Sequence, residues 1–558
     1  MVTPDDDSTR QSNVTTAQSP LSIPLYRGIW IANLLSNLGF LIQSVGASWL
    51  MLELTSSPRM VALVQTSITL PIMLLALFAG AVADNLDRRR VMLTAQCFML
   101  TVSVLLALLT YFGFASPYML LTFTFLIGCG NALNGPAWQA SVGDIVPKPM
   151  LPAAVALNSA AFNIARSAGP ALGGAIVAFA GAAAAFLVNC ISYFGLLAVL
   201  LRWRPEQDAN ALPPERIGSA MMGGLRYVSM SPHMLKVMAR AIMFSICASA
   251  VSALMPVITR DLLQGDAITY GILLGAFGAG AVAGALLSSP LRHRLSAGGV
   301  VSVASAIMAV GGAITALSTN IMITVPALVI AGAAWILVLS TLNVTMQLAS
   351  PRWVVARAIS LYQMAAFGGM AIGSSLFGMA ATHIGVTRAL LLACLLLCAS
   401  IIGGRFMPLP QVDDVDLNPL RRWNEPNTDV PVDPRNGPVA ITIHYKIDPA
   451  NISRFLAVMN ERRRIRRRDG ARRWTLYRDL SNTRLWVERY HVATWLDYVR
   501  HNQRRTNADA ANIADIMELH CDESPPLVYR RIQVQPDSYN ISGSSDDGLY
   551  SQPLPGNL

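Results

Sequence analysis

Apolar residues fall in long runs divided by short polar turns over most of the chain, from about Ile29 to Met407. A membrane-spanning helix needs about 20 predominantly apolar residues. On that measure the runs predict about twelve spans, near 29–53, 60–83, 91–113, 117–137, 153–180, 183–201, 237–259, 268–290, 299–317, 321–347, 356–383 and 386–406. Ser57-Pro58, Ser116-Pro117, Ala180-Gly181 and Ile384-Gly385 mark breaks, and Arg292-His293-Arg294 separates the eighth run from the ninth. After Pro408 the pattern changes. Val439–Tyr445 alternates as a strand should, and Pro449–Asp469 has helical spacing with Ile452, Phe455, Leu456 and Met459 on one face. Two strands around an Asp479–Asn482 turn, helical stretches at 494–505 and 508–519, and a strand at Val528–Ile532 follow. The order β-α-β-β-α-β is the ferredoxin-like split unit.

Basic residues sort by side. Arg88, Arg89, Arg90, Lys148, Arg202, Arg204, Arg216, Arg226, Lys236, Arg292, Arg294 and Arg352 share one side, whereas little beyond Arg59, Arg260 and Arg388 lies on the other. The positive-inside rule puts the first set in the cytoplasm. An even number of spans then places both termini and the tail domain there as well. The polar start of the chain predicts no cleavable signal, so the first span is expected to direct insertion. The longest internal loop, about 203–235, divides the spans six and six.

The two halves look repeated. A shift of 204 residues carries Gly80 to Gly284, Arg88 to Arg292, Arg90 to Arg294, Gly128 to Gly332, Pro147 to Pro351, Gly169 to Gly373 and Gly174 to Gly378. The shift points to two parallel six-helix halves. Ser288 stands where the shift would repeat Asp84.

The turn Gly80-Ala-Val-Ala-Asp84-Asn85-Leu-Asp87-Arg88-Arg89-Arg90 resembles the loop between the second and third helices of the major facilitator superfamily. Gly80, Asp84, Arg88 and Arg89 match, while Asn85 and Asp87 depart from the usual basic residue and glycine. Gly169-Pro170-Ala-Leu-Gly173-Gly174 in the fifth run resembles the core of the helix-5 signature of that superfamily's antiporters. Trp30, Ser36-Asn37-Leu38-Gly39, Gln43, Trp49-Leu50 and Glu53 in the first run narrow the resemblance. So do Arg357, Tyr362, Gly369 and Gly373–Gly378 in the eleventh. Together they resemble the bacterial branch that includes the enterobactin exporter and the transmembrane secretion effectors. The resemblance implies export of small siderophore-like or drug-like molecules, driven by the proton gradient. It also implies that Asp84, Arg88 and Arg89 latch the halves on the cytoplasmic side.

Arg166 lies well inside the fifth run, where a lone charge costs several kcal/mol. It either faces the central path or pairs with Asp84 or Asp144 near the gate. Asn33, Asn37, Gln43, Asn131, Asn134, Asn163 and Gln363 are the amides that either hydrogen-bond between helices or line a polar-spotted cavity. Glu53 and Asp84 are the coupling candidates, each with a second reading as a cap or loop charge.

Composition agrees with a membrane chain: of 558 residues, 53% are hydrophobic and 13% charged, against about 25% charged in soluble domains. The net charge of +10 resides in loops and tail and is no nucleic-acid signal. The seven cysteines show neither metal-ligand spacing nor a disulfide framework, and no Walker-type loop occurs. No metal, cofactor or catalytic residue is assigned.

The tail resembles dimeric α+β barrel domains related to antibiotic-biosynthesis monooxygenases, which leaves self-association open. His491, His501 and His520 are its acid–base candidates, though a sensing or partner-binding role is favoured over an enzyme. The run Arg462–Arg468 is either a solvated helix face or a contact for anionic lipid. The expected organisation is a disordered segment 1–24, a six-helix half 25–202, a central loop 203–235, a second half 236–407, a linker 408–437, a ferredoxin-like domain 438–534 and a disordered end 535–558. The expected fold is thus an all-α membrane protein of twelve transmembrane helices in two six-helix repeats, with a small C-terminal α+β domain. Its expected place is the bacterial inner membrane, with a small-molecule substrate, the proton gradient and the bilayer as partners.

Overall fold

A computed structural model describes residues 19–147, 150–203, 217–351, 353–409, 426, 428, 432–503 and 506–533. The expectations for 1–18, 204–216, most of 410–431 and 534–558 lie outside the described residues. Helical structure already begins at Pro20–Ser22, inside the segment expected to be disordered.

The helices follow the apolar runs. They are α1 Pro24–Leu54, α2 Pro58–Asn85, α3 Arg88–Tyr111, α4 Pro117–Ile145, α5 Leu151–Arg202, α6 Ile217–Ser229, α7 Pro232–Val257, α8 Ala267–Arg294, α9 Ala297–Leu317, α10 Ile321–Leu348, α11 Val355–Ile384 and α12 Val386–Phe406. Proline opens α1, α2, α4 and α7, where its missing N–H costs nothing. Asp87 caps α3 by accepting from Arg89 N at 2.9 Å, and Asp266 caps α8 by accepting from Thr269 N at 2.9 Å. Gly181 takes φ +79° within α5, a conformation natural to glycine, and breaks that long helix where the fifth run gives way to the sixth.

Ten helical stretches among the described residues are long and apolar enough to cross a membrane. One of them, Ala160–Arg202, contains the Gly181 break, and α4 is not among the ten. The protein is a multi-pass membrane protein with a small C-terminal sheet domain. α6 is a finding the sequence reading lacked: part of the expected central loop is helical.

Two compact units divide the chain. The first holds 1–221, 233–347 and 356–411, and the second holds 222–232, 348–355 and 412–558. In the first, the 204-residue shift reappears as packing. A Cβ on Gly169 would lie 2.9 Å from Leu41 Cβ, so α5 and α1 meet there. Gly373, its counterpart, brings α11 as tightly onto Ile246 and Ser249 of α7. Gly128 sets α4 against Ser67 and Pro71 of α2, and Gly332 sets α10 against Phe277 of α8. Small residues allow such approach where lipid supplies no hydrophobic drive.

The second unit contains the tail domain, whose four strands are β1 Val439–Lys446, β2 Arg472–Arg478, β3 Leu485–Val492 and β4 Leu527–Ile532. Their order is β2-β3-β1-β4, with β1 antiparallel to both β3 and β4. The helices are α13 Ile452–Arg468, α14 Trp495–Gln503 and α15 Asn507–Leu519. This is the expected β-α-β-β-α-β unit, with the second helix in two pieces. Phe455 and Met459 are buried as predicted, whereas Leu456 is 40% exposed. Segments 222–232 and 348–355 belong to this unit too. Tyr227 and Trp353 meet edge to face, with centroids 5.1 Å apart, and the Arg468 guanidinium lies 5.0 Å over Tyr227.

Candidate functional site

The arginine turn ties its own half together. Arg88 Nη1 donates to both Asp144 oxygens at 2.7 Å and to Ala140 O at 2.9 Å, at the C-terminal end of α4. Arg89 donates to Leu200 O at 2.8 Å and Leu201 O at 2.9 Å, the last turn of α5. A cation there also meets the negative end of the helix dipole. Arg90 pairs loosely with Asp87 at 3.4 Å. All of these partners belong to the first half. Gly80 looks across: a Cβ on it would lie 3.3 Å from Ser360 Oγ of α11. The side chain of Asp84 lies outside the described residues.

Arg166 is half-buried, and its Cζ sits 3.8 Å from the centroid of Trp335 on α10. Trp335 is buried and packs on Phe277 of α8 at 5.9 Å. Arginine over an indole face is a favourable way to hold a desolvated cation. Of the carboxylates considered for it, Asp144 is taken by Arg88. Arg166 therefore spans the seam between the halves through an aromatic ring. Trp335 was not singled out in the sequence; the only signal is its place in the second half, at the 204-shift from Asn131.

The glycines of the fifth-run motif face two ways. Gly169 and Gly173 receive α1, with Ile42 Cα 3.1 Å from a Cβ on Gly173. Gly174 receives α8 of the other half, where Gly271 Cα would lie 2.6 Å from a Cβ. The carbonyl of Pro170 sits beside Gly271 in the same contact. The shift takes Gly174 to Gly378, which packs α11 on Ala62 and Arg59 of α2. The two contacts across the seam thus repeat one another. Thr66 Oγ1 adds bonds to Ser375 Oγ at 3.0 Å and Ala371 O at 3.3 Å, and Trp49 stacks on Tyr270 at 6.1 Å.

The amides part company. Gln43 is 2% exposed and belongs to a packed network rather than a cavity wall. Its Oε1 accepts from Ser103 Oγ at 3.2 Å and from Asn189 Nδ2, which also donates to Tyr193 OH at 3.0 Å. Asn189 was missed by sequence reasoning. Asn37 Nδ2 donates to Asn33 O at 2.8 Å, one turn back on α1. Asn33, Asn131 and Gln363 are half-buried. Asn134 is buried, and its Oδ1 meets no donor among the described residues. The side chain of Asn163 lies outside the described residues. Glu53 is exposed at the end of α1.

In the tail domain the arginine run is no uniform surface. Arg462 and Arg466 are 8% and 2% exposed and continue the buried stripe begun by Phe455 and Met459. Both face Glu488, which is fully buried. Burial alone would raise the Glu488 carboxyl. Arg466 and Arg462, with hydrogen bonds from Tyr445 and Trp474, hold it instead at about 2. His501 is buried between Arg466 and the Asp469 carbonyl, and His520 Nδ1 accepts from Lys446 N at 3.0 Å.

A family model described as "Transmembrane secretion effector" matches residues 15–537. Among curated relatives, the staphyloferrin A transporter of Staphylococcus aureus is 28% identical over 244 residues, 42% of this chain and 60% of that protein. The multidrug efflux pump Tap of Mycolicibacterium fortuitum is 24% identical over 72% of this chain and 98% of its own length. Among solved structures, a bacterial homologue of the human lysosomal transporter Spinster superposes with TM-score 0.57 at 15% identity, covering 70% of this chain and 98% of that one. The POT family transporter PepTSo gives 0.56 at 11% identity over 69% of this chain and 97% of its own. These superpositions speak for the fold.

Proposed function

The chain belongs to the transmembrane secretion effector family of the major facilitator superfamily, and from that premise we propose that it is a secondary transporter expelling a small amphipathic molecule. The molecule is siderophore-like or drug-like, in keeping with the names of its relatives. The path runs between two six-span halves, and counting α5 as two spans and α4 as one completes twelve. Alternating access is driven by proton antiport across the bacterial inner membrane. The arginine-bearing turns, both termini and the tail face the cytoplasm, following the charge asymmetry of the loops.

One observation carries the reading. Gly174 on Gly271 and Gly378 on Ala62 are equivalent contacts, both made across the seam. Paired close approaches of this kind suit two rigid halves that rock about a shared line. Arg166 crosses that line to Trp335, where it can attract an anionic group on the cargo or bias the closed state.

The test is flux from proteoliposomes with an imposed pH gradient, using a panel of siderophores and dyes. At least one compound should move against its gradient, and collapse of the proton gradient should stop it. A panel that stays put, with protein shown folded and inserted, removes the reading.

A further inference from the structure

The tail domain holds a half-open cavity of roughly 240 Å³ between its sheet and α13–α15. This is a little below the ~300 Å³ at which pockets for drug-sized ligands begin, so an occupant would be small. Its wall is apolar and aromatic, with Tyr445, Tyr490, Ile516 and Met517 among the lining groups. Three cations line it as well, Arg462 and Arg466 from α13 and Arg530 from β4, and among the described residues no carboxylate does.

Glu488 lies behind this wall and meets Arg466 at 3.2 Å and Arg462 at 3.7 Å. It can balance one positive charge and leaves the lining with a net surplus. Arg466 has further partners in His501 and the Tyr490 ring. Arg462 does not: its Nε is buried and finds no hydrogen-bond acceptor, although the side chain is over nine-tenths buried. That Nε turns to Glu488 Oε2, but at 3.7 Å it is too far for a hydrogen bond, so the charge of Arg462, which lines the cavity, is only partly offset. Arg530 stands at the exposed strand edge, held to Tyr498 OH at 2.8 Å.

We propose that this cavity is a binding site for a small organic anion, a carboxylate or sulfonate on an apolar or aromatic body. The acid group accepts from Arg462 and is steered by Arg530, while the body lies against Tyr445, Ile516 and Met517. The site lies within the tail domain and does not depend on what the membrane helices carry.

Calorimetric titration of the full-length protein in nanodiscs tests this, with 2-naphthoate as probe, octanoate as an acyl analogue, and 2-naphthylmethanol and 2-naphthylmethylammonium as neutral and cationic controls. Saturable binding of either acid, with neither control binding, is expected. Octanoate binding tighter than 2-naphthoate would assign a fatty-acid source to the site. R462Q should weaken binding about tenfold or more. R530Q sits on an exposed strand position, and M517W fills the cavity from a half-exposed one, so both keep the test open should R462Q misfold. Each should weaken binding with unchanged thermal unfolding. Equal binding of the cation, or acid binding unaltered in both R530Q and M517W, would overturn the proposal.

Discussion

Gly174 and Gly271 touch backbone to backbone across the seam, each so close that a Cβ on one would fall within 3 Å of the other's Cα. Neither glycine needs an unusual backbone angle. What the position demands is the absence of a side chain, because α5 and α8 come from different halves and must approach this closely. Gly174→Val should therefore force the halves apart while leaving each half intact. Transport should fall about tenfold or more, with unfolding temperature in detergent little changed. Gly378→Val tests the repeat of that contact, and undiminished flux in both variants would remove the seam from the mechanism.

Arg166→Ala should abolish transport without loss of folded protein. Trp335→Ala should weaken it less, since a cation over an indole contributes about 0.5–2 kcal/mol. Trp335→Phe should recover most of the difference. Initial rates in proteoliposomes for the three variants decide this. Equal activity of Arg166→Ala and the parent would leave the arginine with no part in transport.

The Gln43–Asn189 network should govern stability rather than flux. Asn189→Leu leaves Gln43 buried without its amide donor, and thermal unfolding in detergent should show a loss of about 1–2 kcal/mol. Adding Gln43→Leu should not restore it, because Ser103 and Tyr193 are then left buried without their amide partners. If either single variant altered substrate preference instead, Gln43 would belong to the path after all.

Acid should loosen the tail domain. The Glu488 carboxyl is held at about 2, below the ordinary 4.5. A depressed value means that its stabilisation is complete above about 4.5 and fades as pH falls towards 2. By linkage the loss is of order 3 kcal/mol. Near-ultraviolet circular dichroism of the full chain should track it between pH 5 and 2, and Glu488→Gln should flatten the profile over that window.

Much of this architecture is written in the residues. Runs of apolar side chains mark the spans because lipid demands them, and Gly181 marks its own break because few other residues adopt that φ. The 204-residue shift survives into packing because glycines at helix crossings cannot be replaced without moving a helix. The tail's order of strands and helices along the chain follows from alternation, helical spacing and turn residues. Legibility fails where a polar residue's destination depends on a neighbour far along the chain. Gln43 reads equally well as cavity or packing until Asn189 and Ser103, 146 and 60 residues away, come into view. Arg462 and Arg466 look like a solvent face by charge alone. The clue was parity: Trp486, Glu488 and Tyr490 share the inward face of β3, so a buried carboxylate was waiting for buried cations.

Tyr227, Trp353 and Arg468 form a small knot of two rings and a guanidinium. One ring lies on the chain entering α7, the other on the connector from α10 to α11, and the cation ends α13. Three stretches distant in sequence are thus clasped at one point. If either connector shifts, the clasp must yield or α13 must follow, and α13 bears the arginines that line the tail's cavity.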